Sequence, residues 1–246
     1  MPHFFINTSD IINDKVIIKD KDNYVHIAKS LRTRIGEPLL LIDENKIQYE
    51  AVVVEISKTE VITEIKKRYE SKRILPFNIY LAQSPLHSNA QNYIIEKSTE
   101  LGVKGVYPIL TDNCTVKKDT IEKKIDKWQR IMCEASKQCE RATIPRCLDL
   151  TTIENLLNMG NFDKIIAFCE RIADKTIKDT LPIKTGENIL VIIGPEGGFS
   201  KREFEIFSKN PKVKMLTLGD MILKADTAVV VALGNLIYEF TNTIKN

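Results

Sequence analysis

The sequence predicts an α/β protein in which a small β-rich domain, residues 1–73, precedes a larger domain, residues 74–246, built on a parallel sheet. Three observations carry this prediction. Before residue 73, short apolar runs are separated by turn and charged residues, the pattern of small antiparallel strands. Beyond Ser71-Lys72-Arg73 and Pro76, strand-like runs alternate with helix-length amphipathic stretches, which is how a parallel sheet with crossover helices reads. Finally, the apolar run Val191-Ile192-Ile193 passes directly into Gly194-Pro195-Glu196-Gly197-Gly198-Phe199-Ser200. Strand, glycine loop and helix in succession mark the carboxyl edge of a sheet, where ligands bind.

In the first domain, residues 16–18, 39–42, 47–54 and 61–65 read as strands of a small barrel. Residues 23–34 read as a short helix carrying His26, Arg32 and Arg34 ahead of a turn at Gly36. In the second domain the strands fall at 78–82, 105–110, 164–168, 188–193 and 213–218. Ile94, Ile95, Ser98 and Leu101 keep helical spacing up to a stop at Gly102. Ile121, Ile125, Trp128, Ile131 and Met132 define a second helix, in which Trp128 suits packing better than base stacking. Thr151 with Glu154 caps a third helix, and Ser200 with Glu203 forms a capping box for the one after the glycine loop. Residues 227–240 close the chain as a helix apolar almost all round, expected to be buried on several sides.

Composition narrows the function classes. With 43% hydrophobic and 28% charged residues, the 246-residue chain matches soluble globular proteins. No stretch reads as membrane-spanning and the first residues lack a signal-peptide pattern, so a cytoplasmic location is expected. Five cysteines without a C-x-x-C pair and three scattered histidines argue against a metal site. The net charge is +3, and the excess sits in residues 114–147, where nine Lys/Arg face five Asp/Glu. Such a stretch suits phosphate contact, and equally a solvated helix face.

The glycine loop departs from both nucleotide fingerprints. Phe199 stands where the second glycine of a Walker A loop belongs, and Glu196 where G-x-G-x-x-G needs its second glycine. Pro195 removes an N–H donor, and Glu196 would oppose a polyphosphate. A neutral heterocycle or a cationic ligand fits better. On its own, such a loop serves as often as a plain strand-to-helix turn.

Four ordered stretches extend this reading: Glu96-Lys97-Ser98-Thr99-Glu100-Leu101-Gly102-Val103; Trp128 with Glu134, Ala135, Gln138 and Arg141 before Pro145; residues 193–200; and Leu218-Gly219-Asp220-Met221-Ile222-Leu223-Lys224-Ala225-Asp226-Thr227-Ala228. Together with His26, Ser30, Leu31, Arg32 and Gly36 they resemble the bacterial ribosomal RNA small subunit methyltransferase E family, over essentially the whole chain. The last stretch departs from the family pattern at Met221, Lys224 and Asp226. The resemblance implies a SPOUT-type α/β domain with a C-terminal trefoil knot, an N-terminal PUA-like barrel and a homodimer. It also implies S-adenosylmethionine as methyl donor, and N3 of a uridine in the 16S ribosomal RNA of the small subunit as acceptor.

On that resemblance, Gly194, Pro195, Glu196, Gly197, Gly198, Leu218, Gly219, Ile222, Leu223 and Thr227 are expected to bind the cofactor, with Glu170 as a third wall. Leu218, Ile222 and Leu223 read equally well as core residues. Arg141 and Lys224 are the candidate catalytic cations, while Arg32, Arg34 and Lys97 are candidate RNA contacts. Methylation of another RNA, such as transfer RNA, and a non-catalytic assembly role stay open as alternatives.

Overall fold

Six strands make the N-terminal sheet: β1 (His3–Phe5), β2 (Ile11–Ile12), β3 (Lys15–Ile18), β4 (Pro38–Ile42), β5 (Ile47–Ile56) and β6 (Val61–Glu70). They lie in the order β1-β4-β5-β6-β3-β2, antiparallel except for β1 against β4. In this computed structural model residues 1–170, 172–180 and 182–244 are described, without the side chains of Ser88 and 241–244. The chain divides into two compact units, Met1–Ile74 with Ser136–Thr143, and Leu75–Ala135 with Ile144–Asn246. Residues 136–143, expected in the second domain, thus group with the first unit.

Side-chain alternation builds the first core. Leu39 and Leu41 of β4, Tyr49, Ala51 and Val53 of β5, and Val61 and Ile65 of β6 point to one side and are buried with Phe4, Val16 and Ile27. α1 (Lys21–Tyr24) is capped by Asp20, whose carboxylate accepts from the Asn23 N–H at 2.8 Å, and continues as a π-helical turn over Val25–Ser30. The expected helix at 23–34 therefore begins earlier and stops at residue 30, and Arg32 beyond it sits at φ 53°.

His3, on β1, is buried at 3% exposure. Burial pushes its pKa down to about 4, with the Glu140 carboxylate opposing and the Arg73 guanidinium adding to the shift. A depressed folded-state pKa means stability that is complete above the ordinary value of about 6.5 and lost as pH falls toward 4. The loss at one histidine is on the order of 3 kcal/mol. Urea denaturation of the whole chain at pH 7.5 and pH 4 should show this excess acid sensitivity, and His3→Phe should remove it. Equal acid losses in both proteins would show that His3 does not titrate on unfolding.

The second unit contains β7 (Asn78–Gln83), α2 (Ser88–Glu100), β8 (Gly105–Leu110), α3 (Lys118–Glu122), α4 (Ile125–Gln138), β9 (Arg146–Cys147) and β10 (Thr151–Thr152). It continues with α5 (Ile153–Asn158), β11 (Lys164–Phe168), β12 (Asn188–Ile193), α6 (Lys201–Lys209), β13 (Val213–Leu216) and α7 (Ala225–Ile244). The sheet runs β10-β8-β7-β12-β11-β13 with β9 beside β8, and every pairing is parallel. One face packs Leu81, Val106, Val191 and Ile166 against Ile94, Trp128, Met132, Val229 and Leu233 of α2, α4 and α7. The other packs Ala82, Ile109, Leu190 and Ile192 against Ile153, Leu156 and Phe207 of α5 and α6. The result is the three-layer α/β arrangement that near-continuous apolar strands require.

Two local expectations are corrected. The single helix through Ile121 and Trp128 is two helices, because the Lys124 N–H bonds the Ile121 carbonyl three residues back and tightens the turn. Both side chains, seven residues apart, reach one core. Thr152 rather than Thr151 caps α5, accepting from the Asn155 N–H at 3.3 Å, since Thr151 is held in β10. α7 is buried on several sides, as its apolar sequence leads one to expect: Ala228, Val229, Ala232, Leu233 and Leu236 are buried, and among its described side chains Thr227, Asn235 and Tyr238 are exposed.

Candidate ligand cleft at the carboxyl edge of the sheet

β12, β11 and β13 are neighbours in the sheet although they are spread over 53 residues of chain from Lys164 to Leu216. Parallel strands put their carboxyl ends on one edge, so the segments that follow them meet there. A cleft of about 570 Å³ opens at this edge, the scale of a small-molecule site. After β11 it is lined by Cys169, Glu170 and Ile172; after β12 by residues 194–199; after β13 by Ile222, Leu223 and Lys224. Among the described residues its charged side chains are two carboxylates and one ammonium, and the rest of that lining is apolar side chain or backbone. Such a surface suits an uncharged ring joined to a cationic group, and it is poor in the donors that a phosphate needs.

The glycine loop is shaped by its contacts. Gly198 has φ 66° and donates to the Pro195 carbonyl at 2.9 Å, closing a tight turn. At Gly194 a Cβ would stand 3.3 Å from the Phe199 ring, so backbone and ring share the space that any side chain would take. Phe199 is fixed edge-on by Phe207, with ring centres 5.0 Å apart.

A polar network holds the loop from the segment after β8, two strands away in the sheet. The Asn113 amide donates to the carbonyls of Gly197 and Gly198 at 3.2 and 3.0 Å. Buried Glu203 accepts from the N–H groups of Asp112 (3.0 Å) and Ser200 (2.8 Å), and Ser200 Oγ accepts in turn from the Glu203 N–H, so the expected capping box is present. Arg202 forks onto Asp112, donating from Nε at 3.0 Å and from Nη2 at 2.7 Å, and also reaches Glu154. The Arg202 guanidinium and the Ser200 hydroxyl hold the Asp112 carboxyl down at about 2. Asp112, Asn113 and Arg202 carry no motif. Only the fold brings Asp112 and Asn113 to a loop and to an Arg202 more than 80 residues away.

Of the residues singled out in the sequence, Glu170, Gly194, Pro195, Glu196, Gly197, Gly198, Ile222, Leu223 and Lys224 line the cleft. Leu218 packs against the neighbouring core instead. Gly219, at φ 123°, donates its N–H to Thr217 Oγ1, and Thr227 stands exposed in the first turn of α7. Arg141 lies in Ser136–Thr143 of the other unit, half-buried, with burial lowering its guanidinium to about 10. Lys97 is engaged by Glu96 at 2.7 Å and Glu100 at 2.8 Å, which hold its ammonium above the usual lysine range. Arg32 and Arg34 are exposed in the first unit. Among the described residues no group of His, Cys, Asp and Glu is placed to hold a metal ion, and no helix is long and apolar enough to cross a membrane.

The parallel sheet with a ligand cleft at its carboxyl edge, preceded by a small β unit, defines a class. Residues 73–237 match the RNA methyltransferase domain family, and residues 18–66 match the RNA methyltransferase PUA domain. Ribosomal RNA small subunit methyltransferase E of Buchnera aphidicola (from Acyrthosiphon pisum) is 30% identical, over 95% of this chain and 91% of its own. The Aquifex aeolicus protein of the same name is 34% identical over 81% and 84%. The crystal structure of the Neisseria gonorrhoeae protein of that name, bound to S-adenosyl methionine, superposes with a TM-score of 0.82 at 26% identity, covering 96% of both chains. The chain belongs to the ribosomal RNA small subunit methyltransferase E family.

Proposed function

We propose that the protein transfers a methyl group from S-adenosylmethionine to N3 of a uridine in 16S ribosomal RNA, acting as a cytoplasmic homodimer whose C-terminal chain forms a trefoil knot. The observation that carries this reading is the cleft itself, with three strand-end segments enclosing an apolar space bordered by Glu170 and Glu196. The bound sulfonium compound supplies the methyl group. The chain supplies the rest: residues 194–198 and 222–223 would hold the adenine ring and exclude water, and the carboxylates of Glu170 and Glu196, both in the cleft lining, would attract the cationic part. Lys224 Nζ, at the border of the cleft, stabilises the charge that uracil gains as the N3 proton passes to solvent, before N3 takes the methyl group. Arg141 is the second cation proposed for this role. Met221, 78% exposed, and Tyr238, 65% exposed, offer apolar surface for the homodimer.

Methyl incorporation from labelled S-adenosylmethionine into small subunits of a strain deleted for the gene tests the reading. The label should map to uridine N3 by mass spectrometry of the ribosomal RNA. Label in transfer RNA, or none, overturns it.

Arg32 and Arg34 are proposed to contact the RNA, and Lys97 to exchange a glutamate partner for phosphate. Arg32 makes a separable prediction. At φ 53° it occupies the left-handed position after a helical turn, where glycine is preferred. Arg32→Gly should therefore raise stability by roughly 0.5–1 kcal/mol while weakening RNA binding. Denaturant titration and fluorescence anisotropy on an rRNA fragment read the two effects. A variant that is more stable with unchanged RNA affinity removes Arg32 from the RNA surface.

A further inference from the structure

We propose that the outward face of the α3–α4 segment in the second unit is an additional contact for the RNA phosphate backbone, made by Lys123, Lys127 and Arg130. It lies outside both the cleft and the Arg32–Arg34 segment, and it rests on the reading that the substrate is RNA.

Residues 117–130 carry six Lys/Arg against three Asp/Glu, a local excess equal to the net charge of the whole chain. Lys127 and Arg130 on α4, and Lys123 in the turn before it, are exposed, while Ile121, Trp128 and Met132 are buried in the core. That burial turns the cations of α4 toward solvent. The three are spread along the segment, as successive phosphates are along an RNA strand.

Some exposed cations elsewhere meet a carboxylate, as in Lys66–Glu64 at 2.7 Å, Arg68–Asp14 at 2.8 Å and Arg202–Asp112 at 2.7 Å. Among the described residues, Lys123, Lys127 and Arg130 form no ion pair, although Glu122 and Asp126 are adjacent in sequence. Glu122 pairs with Lys118 at 3.8 Å instead.

Lys127 lies in the first turn of α4, where the helix dipole favours acids. Lys127 and Arg130 are like-charged neighbours at spacing three, which weakens an isolated helix. Local stability would favour an acidic residue at 127. Exposed cations on a core-anchored helix and the turn before it are instead matched to a polyanion.

The test replaces the three together, Lys123→Gln, Lys127→Gln and Arg130→Gln, in the full chain. Affinity for an in vitro transcribed fragment of small-subunit rRNA is measured by anisotropy across a potassium chloride series. Each lost phosphate contact should flatten the slope of log affinity against log salt by about 0.7–0.9. The triple variant should therefore lose about two to three units of slope and bind at least about tenfold more weakly near physiological salt. S-adenosylmethionine affinity by calorimetry should be unchanged. A charge-keeping variant, Lys123→Arg with Lys127→Arg and Arg130→Lys, should behave as wild type. If the wild type binds with a steep slope and the glutamine variant matches it, this surface is not an RNA contact and the substrate reading stands. If the wild type itself shows no salt-dependent RNA binding, both fall. If RNA binding is unchanged but binding to assembled small subunits is lost, the face serves an acidic protein and the proposal is overturned.

Discussion

Gly198→Arg should abolish S-adenosylmethionine binding, with affinity falling at least about 100-fold, a loss of about 2.7 kcal/mol, and methyl transfer lost with it. Gly198 lines the cleft, and nothing lies within 4 Å of where its Cβ would stand, so an added side chain meets no protein neighbour and occupies ligand space. Its φ of 66° adds backbone strain for any residue with a Cβ, of order 1 kcal/mol. Gly198→Ala separates the two effects: it carries the strain without the bulk and should bind more weakly than wild type, but measurably. Calorimetry reads the affinity, and far-ultraviolet circular dichroism confirms that each variant is folded. Wild-type binding by a folded Gly198→Arg protein would move the cofactor out of this cleft.

The glycine loop was legible because its chemistry is local: Pro195 and Glu196 disfavour phosphate, and Ser200 with Glu203 caps the next helix, whatever the rest of the chain does. The apolar runs at residues 105–110, 164–168 and 188–193 were legible because strands buried on both faces are apolar almost throughout. The convergence of Glu170, Gly198 and Leu223 depends on β12 lying between β7 and β11, an order that differs from chain order and that no periodicity reveals. The hold of Asn113 on Gly197 and Gly198 follows from the same order and has no sequence signal. β1 was missed because three residues pair in parallel with β4, 37 positions away, too short a run for alternation to mark. The break between α3 and α4 contains neither proline nor glycine, and Ile121 and Trp128, seven residues apart, would share a face of one unbroken helix, so the apolar spacing does not mark it.

Trp128→Ala should destabilise the protein by about 3–5 kcal/mol, the cost of truncating a large buried aromatic without refilling the space. Trp128 is 1% exposed and packs with Ile121 and Met132 in the core beneath α4. Marginal stabilities of about 5–15 kcal/mol make this a large fraction of the total. Trp128→Phe keeps an aromatic ring and should lose less. Because Trp128 is the only tryptophan, both variants lose that fluorescence signal, and urea denaturation must be followed by circular dichroism. RNA binding distinguishes packing from stacking on a base: the buried ring predicts that folded Trp128→Phe retains the wild-type affinity and salt slope. A Trp128→Ala protein of unchanged stability but weakened RNA binding would place the ring on the RNA side. That outcome would also undo the orientation of α4, since it is the burial of Trp128 that turns Lys127 and Arg130, its near neighbours in sequence, toward solvent.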